Sequence, residues 1–496
     1  MALAMKKLVI ITLLGVAGAT AAENDYYKLI SVPFPKDLKL EISGMATLPE
    51  DRMALAIRKG EIWIAKGLSG GKPVYTKFAS GLHEPLGLAY HKGNLYTVQR
   101  TELTRLRDTD NDGRADEYLT QAKGWGVTGN YHEYAYGPAI DHAGNMWVAL
   151  NCSIGKGSNP NNQWRGWSLR VKPDGSWTPM SGGFRSPSGI GTNLAGDVFA
   201  TDQQGNWFPT SPLIHLKRGA FHGHADSLPF TQLPGATFKV DGDLPRNLTV
   251  TQAAKRIGAY QLPAVWFPYR KMGMSTTDIL ADSTQGKFGP FAGQIFCGEF
   301  TMSFVSRVFL EKVEGEYQGV CFRFRDGLDC AALRLQWGVD GSMYIGQSNR
   351  GWNSLGTKSY GLQRLQWAGK VPFEIKTMSA HPNGFVLTFT RPVNPKTATN
   401  PKSYVLSSYT YPYHSKYGGE ETDVKALTVK SATLDAGKKL VHLKIDGLRT
   451  GYVHELHADG IRDLKGQPLL HKAAYYLSLI HISEPTRPRL ISYAVF

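Results

Sequence analysis

One four-residue pattern recurs along this chain and restricts its possible folds more than any other feature. The pattern is a glycine, any residue, an aliphatic residue or methionine, and an aromatic residue, and it begins at Gly60, Gly93, Gly144, Gly196, Gly293 and Gly341. Composition alone would give about one or two such matches. Glycine supplies the positive φ of a tight turn, and the residues after it can enter a strand. Each match therefore predicts the turn of a β-hairpin.

The spacing of these turns predicts a β-propeller. Successive matches are 33, 51, 52, 97 and 48 residues apart, and four-stranded propeller blades repeat at about 40–50 residues. The longest gap holds a stretch rich in proline and glycine, which we interpret as an insertion at about 219–287. We predict an all-β chain in which residues 23–370 form a six-bladed β-propeller. A pair of β-sandwiches is the alternative.

The sequence pattern changes at Val371. The run Phe385-Val386-Leu387-Thr388-Phe389 has the length of a strand, residues 441–445 alternate between apolar and polar, and prolines mark turns. Short strands separated by turn residues are typical of immunoglobulin-like sandwiches. We therefore predict a small immunoglobulin-like β-sandwich at residues 371–476, packed against the propeller.

The N-terminus has the pattern of a secretory signal peptide. Lys6 and Lys7 precede a short apolar run, and small residues follow it up to Ala22. A basic flank, an apolar core and a small-residue cleavage site define such signals. The apolar run is too short for a transmembrane helix, which needs about 20 residues. We expect residues 1–22 to be removed on export, which would leave a periplasmic or secreted protein with no membrane span.

The C-terminal twenty residues differ from the rest of the chain. Residues 477–496 read LSLIHISEPTRPRLISYAVF, which resembles the translation of a sequencing adapter, a barcode and a primer site. We interpret 477–496 as an artefact that is not native, and we expect it to have no defined partner in the fold.

Charge and cysteine content exclude some functions and leave others open. The formal net charge is +15, but the Lys and Arg residues are scattered rather than clustered, so no nucleic-acid partner is predicted. Acidic polysaccharide or an anionic cofactor is compatible with this charge. The four cysteines include no C-x-x-C-H haem motif and no zinc-motif spacing. Export permits a Cys321–Cys330 disulfide, and buried free thiols are the alternative.

An acidic loop provides a candidate calcium site. Carboxylates occur at alternate positions, and Gly113 permits the sharp turn that would wrap them around one hard cation. The predicted ligands are Asp108, Asp110, Asp112, Asp116 and the carbonyl of Arg114. The twelfth position is Leu119 rather than Glu, so the loop is not a full EF-hand, although Glu117 could substitute. A solvated acidic turn is the alternative.

Histidines provide two further candidates. His132 precedes the third predicted hairpin, and a histidine at the start of an inner propeller strand points towards the axial channel. Its ordinary pKa of about 6.5 suits removal of a proton from an alcohol. His222 and His224 are separated by one residue, so on a strand they would share a face and could bind one metal. No third ligand is evident in the neighbouring sequence.

Three segments resemble the soluble pyrroloquinoline quinone (PQQ) sugar dehydrogenases. The stretch from His132 to Asn151 resembles the segment that carries their catalytic histidine. The segment 183–189 resembles their G-x-R-N-P-x-G motif, with Ser186 in place of the asparagine, and 202–207 resembles D-x-x-G-x-W. More closely, residues 81–476 are similar to secreted propeller proteins of Planctomycetes, Verrucomicrobia and related bacteria, labelled membrane-bound or sorbosone-type dehydrogenases. GLHEPLGLAY, YHEYAYG and GKFGPFAGQ are among the shared phrases.

The resemblance implies a quinoprotein that oxidises a sugar or an alcohol with PQQ. His132 would be the catalytic base, and the residues implied to hold the cofactor are Tyr131, Arg185, Asp202, Trp207, Arg307, Gln347 and Arg350. The fifth-blade segment 299–302 lacks the basic residues of the soluble enzymes. Without a haem module, the chain would need an external electron acceptor such as a cytochrome c. A propeller that only binds carbohydrate or protein, and a calcium-assisted lactonase or lyase, are the alternatives.

Overall fold

The computed structural model describes residues 23–155, 159–349 and 351–480. The predicted signal peptide, Arg350 and residues 481–496 of the predicted artefact lie outside the described residues. The helices named in the described part are short: α-helices Val250–Arg256 and Pro395–Ala398, and 3-10 helices Pro160–Asn162, Ala225–Gln232 and Pro401–Ser403. None of the described helices is long and apolar enough to cross a bilayer. The chain is therefore all-β, as predicted.

The strands follow one another as antiparallel hairpins. After β1 (Tyr27–Ser31), the first three sheets are β2 (Ile42–Leu48), β3 (Arg52–Ile57), β4 (Glu61–Lys66) and β5 (Val74–Ala79); β6 (Leu88–His91), β7 (Asn94–Val98), β8 (Glu102–Arg107) and β9 (Glu117–Lys123); and β10 (Ala135–Ile140), β11 (Met146–Leu150), β12 (Trp167–Val171) and β13 (Trp177–Gly182). The fourth sheet contains β14 (Gly189–Thr192), β15 (Val198–Thr201), β16 (Ser211–His215) and, after the short β17 (Leu248–Thr249), β18 (Val265–Phe267).

The next strands are β19 (Thr276–Ala281), β20 (Ile295–Glu299), β21 (Phe304–Val313) and β22 (Glu316–Arg325), and then β23 (Ala332–Trp337), β24 (Met343–Ser348) and β25 (Tyr360–Trp367). Strand β1 pairs with β25, so the N-terminal strand completes the sheet β1-β25-β24-β23. Five sheets of four strands thus occur within the described ranges, in a propeller-like arrangement. The strands β19–β22 instead form the beginning of an eleven-stranded sheet.

The C-terminal strands extend that larger sheet. They are β26 (Ile375–His381), β27 (Gly384–Phe389), β28 (Val405–Thr410), β29 (Pro412–Tyr413), β30 (Thr422–Leu434), β31 (Leu440–Asp446), β32 (Tyr452–His457) and β33 (Ala473–Ser478). Strand β33 pairs with β22, which joins the two parts edge to edge. The long strand β30 pairs with β28 through its first half and with β31 through its second half. Buried side chains from both groups of strands that pair with β30 form a separate apolar core.

A buried arginine lies where the inner strands begin. Strands β2, β6, β10, β14, β19 and β23 contact one another in turn, and β23 contacts β2 again. Arg334, only 4 % exposed, donates hydrogen bonds to the carbonyl oxygens of Ser43 (2.8 Å), Ser188 (2.9 Å) and Leu86 (3.3 Å). Its guanidinium also lies 5.0 Å from the ring centre of Tyr136. Four separate strand starts therefore converge on one cation, which leaves a central cavity of only about 50 Å³.

The glycine pattern marks turns, as predicted. All six pattern glycines have positive φ, between 78° and 102°. Five of them connect the first and second strands of a sheet, but Gly60 connects β3 to β4. The equivalent turn of the first sheet uses Glu50 and Asp51, with φ of 63° and 52° and no glycine. The spacing from Gly60 to Gly93 is short because Gly60 lies at a later turn of its sheet than the other five glycines.

Two predicted boundaries need correction. The insertion at 219–287 is too long, because β18 and β19 both lie inside that range. Proline and glycine mark the turns around these strands as well as the insertion, so composition did not separate them. The predicted tail also has partners at its start: Leu477 and Ser478 belong to β33, and Leu477 is 1 % exposed. The expectation that the tail lacks partners is wrong for these residues, because β33 continues past Tyr476.

Buried charges attach the start of the described chain to its end. His471 contacts Glu23 (2.9 Å) through one ring nitrogen and Glu374 (2.6 Å) through the other. Burial alone would lower the pKa of His471, but the two carboxylates outweigh it and raise the pKa to about 10. Arg325 also pairs with Glu23, at 2.9 Å. These contacts fix the C-terminal part relative to β22.

Replacing Arg334 with alanine should destabilise the fold strongly, because four carbonyls would lose a charged donor in a buried site. We expect Arg334→Ala to lower the free energy of unfolding by about 3–5 kcal/mol, measured by guanidinium denaturation. The control Arg218→Ala removes an exposed arginine and should change it by less than about 0.5 kcal/mol. Equal denaturation midpoints for Arg334→Ala and Arg218→Ala would contradict this role.

Candidate functional site

A loop ahead of β10 presents His132 at the end of the molecule where the inner strands begin. Arg100 holds this loop by donating hydrogen bonds to the carbonyls of Asn130 (3.1 Å) and Tyr131 (3.0 Å). Asn130 in turn accepts the backbone N–H of His132 at 2.9 Å. Glu133 is buried and accepts hydrogen bonds from Thr128 and Ser153. Hydrogen bonds made by the neighbours of His132 therefore hold the loop in place without using its imidazole ring.

The ring of His132 is half-buried and makes no hydrogen bond within the described residues. Burial, and then the positive charges of Arg185 and Arg100, lower its pKa below the usual value. The imidazole is therefore neutral at pH 7 and can accept a proton. Tyr131 lies edge-on to this ring at 5.4 Å and is 48 % exposed. Tyr131, His132 and Arg185 therefore lie near one another at the end of the molecule where the inner strands begin. We call this region the mouth.

Asp202 and Gly205, from the segment that resembles D-x-x-G-x-W, position Arg185. Buried Asp202 accepts the backbone N–H groups of Arg185 (2.8 Å) and Ser186 (2.7 Å). The Arg185 side chain lies directly against Gly205, where a Cβ would come within 2.0 Å of Nε. Only glycine therefore leaves room for the guanidinium in this conformation. Burial outweighs the hydrogen bonds and raises the pKa of Asp202 to about 6.

The C-terminal part contributes a residue that sequence reasoning missed. The ring of Tyr417 lies 5.3 Å from the Arg185 guanidinium and is 68 % exposed. Backbone contacts from Asn206 to Tyr417 and from Gly418 to Gly205 (2.9 Å) hold this segment against the mouth. The Gly418-Gly419 pair was the available sequence signal for a tight turn. The C-terminal part therefore shapes the mouth as well as packing beside it.

Four predicted cofactor residues have other roles. Asp202 serves backbone amides and does not face a ligand, as described above. Trp207 packs on Tyr413 at 4.9 Å between ring centres, because its backbone N–H is bound to the C-terminal segment. Asp202 and Gly205 of the motif D-x-x-G-x-W therefore hold Arg185, whereas Trp207 packs on the C-terminal segment.

Arg307 and Gln347 are also unavailable to a ligand. Arg307 is fully buried between the rings of Phe291 and Phe322, and it donates to the carbonyls of Ile375 (2.7 Å) and Lys376 (2.9 Å). Gln347 is buried and donates to the side chain of Gln363 at 2.8 Å. Arg307 and Gln347 lie on β21 and β24, which are not inner strands. Their hydrogen bonds connect these strands to neighbouring strands. Arg350 lies outside the described residues.

The two histidines at 222 and 224 face different surroundings. His222 packs against Phe184 at 4.9 Å, and both of its ring nitrogens are buried without a partner. His224 lies instead beside Cys152 and Asp226. The interpretation that the two histidines share one metal is therefore wrong. All four cysteines are buried and unpaired, so the optional Cys321–Cys330 disulfide is absent.

The acidic loop joins β8 to β9 on the outside of the second sheet. Carboxylate oxygens of Asp108, Asp110 and Asp116 lie within 4.8 Å of one another, and Asp108 Oδ1 is buried without a partner. Asp112 and Arg114 are exposed and are not part of this cluster. Glu117 is engaged by Arg107 at 2.7 Å, so it is not a free substitute ligand.

Comparison with known proteins places the chain in a family. A family model described as "Domain of unknown function (DUF7133)" matches residues 60–319, more than half of the chain. The chain belongs to this family. A comparison with curated protein sequences finds no match.

Solved structures resemble this DUF7133 chain in fold. A glucose dehydrogenase-type oxidoreductase from Thermus thermophilus is 18 % identical with a TM-score of 0.50, and the match covers 68 % of this chain and 99 % of that one. The PQQ-bound aldose sugar dehydrogenase from Streptomyces coelicolor is 15 % identical (TM-score 0.47; 68 % and 98 % covered). The PQQ domain of pyranose dehydrogenase from Coprinopsis cinerea is 10 % identical (TM-score 0.48; 68 % and 95 % covered). At 18 % identity, the Thermus likeness shows a shared fold.

Removing the charge of Arg185 should raise the pKa of His132 towards its ordinary value of about 6.5, because one of the repelling cations is lost. We expect this shift in Arg185→Ala, measured by NMR titration of carbon-13-labelled histidine, with His132→Gln used to assign the resonance. The matched control Arg185→Lys keeps the positive charge and should keep the pKa low. An unchanged His132 titration in Arg185→Ala would show that the two side chains are not coupled.

Proposed function

We propose that the chain is a quinoprotein-like oxidoreductase that oxidises a sugar or an alcohol with PQQ. One observation carries the proposal: a neutral imidazole, His132, and a buried guanidinium, Arg185, share one mouth. Neither has its polar group fully engaged within the described residues. The fold shared with the Thermus glucose dehydrogenase-type protein and the three segment resemblances support the same reaction class.

The residues at the mouth fit an anionic, planar quinone. Arg185 Nε donates a long hydrogen bond to Asn206 at 3.4 Å, and no carboxylate among the described residues forms an ion pair with Arg185. Its charge is therefore available to a ligand anion. Asn151 Oδ1 is buried without a partner beside Ser186, to which its Nδ2 donates at 2.9 Å. This oxygen can accept a ligand N–H or O–H. The exposed rings of Tyr131 and Tyr417 offer apolar faces to a planar group.

Each residue would have a defined task. PQQ supplies an acceptor for two electrons when it is bound. His132, neutral because of its surroundings, would accept the proton of the substrate hydroxyl group. Arg185 would bind a cofactor carboxylate or carbonyl oxygen, and Gly205 would keep its guanidinium in place. The tasks of proton acceptance and cofactor binding therefore fall on different side chains.

Contacts between the inner strands support a ring of sheets that closes around the axis. We propose that β19–β22 form the sixth blade, since β19 contacts both β14 and β23 as an inner strand would. We also propose that residues 371–476 form an immunoglobulin-like sandwich, since β30 crosses between two groups of strands over a shared core. The proposed location is periplasmic or secreted, with an external acceptor such as a cytochrome c.

PQQ binding and turnover should depend on different residues. We expect the protein with added calcium to bind PQQ, measured by fluorescence titration, and to reduce a dye with a sugar or alcohol. His132→Gln should retain binding and lose about 10²–10⁴-fold in rate. Arg185→Ala should bind PQQ about 10–100-fold more weakly, as expected for a lost charge-assisted hydrogen bond. Arg218→Ala should match the wild type.

The absence of saturable PQQ binding to the wild-type protein would contradict this function. Activity without added quinone that is lost on chelation would favour the lactonase alternative.

We further propose that the acidic loop binds calcium as a structural ion through Asp108, Asp110 and Asp116. Calcium at 100 times its Kd should raise the free energy of unfolding by about 2.7 kcal/mol, measured by thermal unfolding after EDTA treatment. Asp110→Asn should remove the effect. Asp174→Asn changes another exposed turn carboxylate and should preserve it. Equal Tm values with and without calcium would exclude the site.

A further inference from the structure

A cysteine, a histidine and an aspartate meet close to Arg185, in a cluster that the proposed function does not use. Cys152 Sγ, one ring nitrogen of His224 and one carboxylate oxygen of Asp226 lie within 4.8 Å of one another. Cys152 is 1 % exposed and His224 is 3 % exposed, whereas Asp226 is half-buried. Two of the three possible ligands are therefore shielded from water, and the third reaches the surface.

The backbone presents these side chains in a fixed arrangement. The N–H of Cys152 donates to the carbonyl of Arg185 at 3.0 Å, and the N–H of His224 donates to the carbonyl of Gly183 at 3.0 Å. Both residues are thus anchored to the segment that carries Arg185. His224 also caps the 3-10 helix Ala225–Gln232, which contains Asp226. The three side chains therefore converge without needing a change of fold.

The polar atoms of the cluster are poorly satisfied by the protein. His224 Nδ1 accepts the backbone N–H of Asp226 at a long 3.3 Å, so this nitrogen carries a lone pair rather than a proton. The Cys152 thiol donates no hydrogen bond within the described residues. A buried thiol without a base that holds its proton is a poor nucleophile. In a Cys–His–Asp triad a ring N–H of the histidine donates to the carboxylate, but His224 Nδ1 accepts the Asp226 backbone N–H instead. Binding of one metal ion is therefore the role that uses all three groups.

We propose that Cys152, His224 and Asp226 bind one zinc ion. A thiolate, an imidazole and a carboxylate are the three ligand types that zinc takes in proteins. Ligand atoms of a tetrahedral zinc ion lie about 3.3–3.8 Å apart, and the three atoms here lie within 4.8 Å of one another, so binding would draw them together by about 1.5 Å at most. The thiolate and the carboxylate together neutralise the charge of the ion.

The fourth position of this site is open to solvent or substrate. Three protein ligands plus water is the pattern of zinc sites that act on bound molecules, whereas structural zinc sites have four protein ligands. The partly exposed Asp226 provides the side from which water can reach the ion. None of the three ligands belongs to the proposed quinone-binding set, so zinc binding can be measured without PQQ.

Cobalt provides the direct test, because a cysteine thiolate bound to Co²⁺ gives a near-ultraviolet charge-transfer band. We expect EDTA-treated full-length protein to develop this band on Co²⁺ titration, to saturate at one thiolate-bound ion per chain, and to lose it when Zn²⁺ is added. Cys152→Ser should abolish the band. Cys330→Ser removes another buried free thiol and should retain it. Calcium should not compete, which separates this site from the acidic loop.

A second variant keeps the test decisive if Cys152→Ser does not fold. Asp226→Asn changes a half-buried residue and should weaken Zn²⁺ binding at least about tenfold, since even lost outer-shell partners cost about 10–100-fold. Circular dichroism would confirm its fold. The proposal is overturned if the wild-type protein gives no thiolate band, or if Asp226→Asn binds Zn²⁺ as tightly as the wild type.

Discussion

The hydrogen bonds of Arg334 are the constraint on which the rest of the site depends. A buried guanidinium is stable only when its donors are satisfied, and here the acceptors are carbonyls from strands far apart in the sequence. Satisfying Arg334 therefore requires the starts of these inner strands to converge. The same contacts fill the axis, so the small central cavity cannot pass a ligand. A wider opening of about 450 Å³ lies at the opposite ends of the inner strands.

The position of the candidate site follows from this convergence. His132 stands three residues before β10, and Arg185 stands four residues before β14. Neighbouring strand starts held at the axis bring the loops that precede them together. Asp202 and Gly205 then hold the backbone and side chain of Arg185, and the C-terminal segment adds Tyr417. The edge pairing of β22 with β33 and the buried contacts of His471 keep that segment in place.

Local patterns in the sequence were enough to predict the turns, but not which turn of its sheet each glycine occupies. Glycines in tight turns are needed for positive φ, so five pattern glycines marked the same turn of successive sheets. Gly60 fell at another turn, because Glu50 and Asp51 adopt positive φ without glycine. The all-β class was predicted from the hairpin turns, and His132 and Arg185 were singled out by the resemblance of their segments to PQQ sugar dehydrogenases.

Roles that depend on long-range packing were not predictable. Arg307 looked like a cofactor ligand because it is basic, yet its partners are carbonyls nearly seventy residues away. Asp202 acts through the backbone of Arg185, and Trp207 packs on Tyr413, which is more than two hundred residues away in the sequence. Cys152, His224 and Asp226 are separated by too many residues for spacing to reveal a cluster. Tyr417 comes from a part of the chain whose contact with the mouth only the fold shows.

The most direct test of the central claim is a crystal structure of the full-length protein with PQQ and calcium. We predict quinone density at the mouth, with a cofactor oxygen within hydrogen-bonding distance of Arg185 and with His132 facing the reactive side of the ring. Density for PQQ at the opposite opening of the axis, or at a site away from both residues, would contradict it.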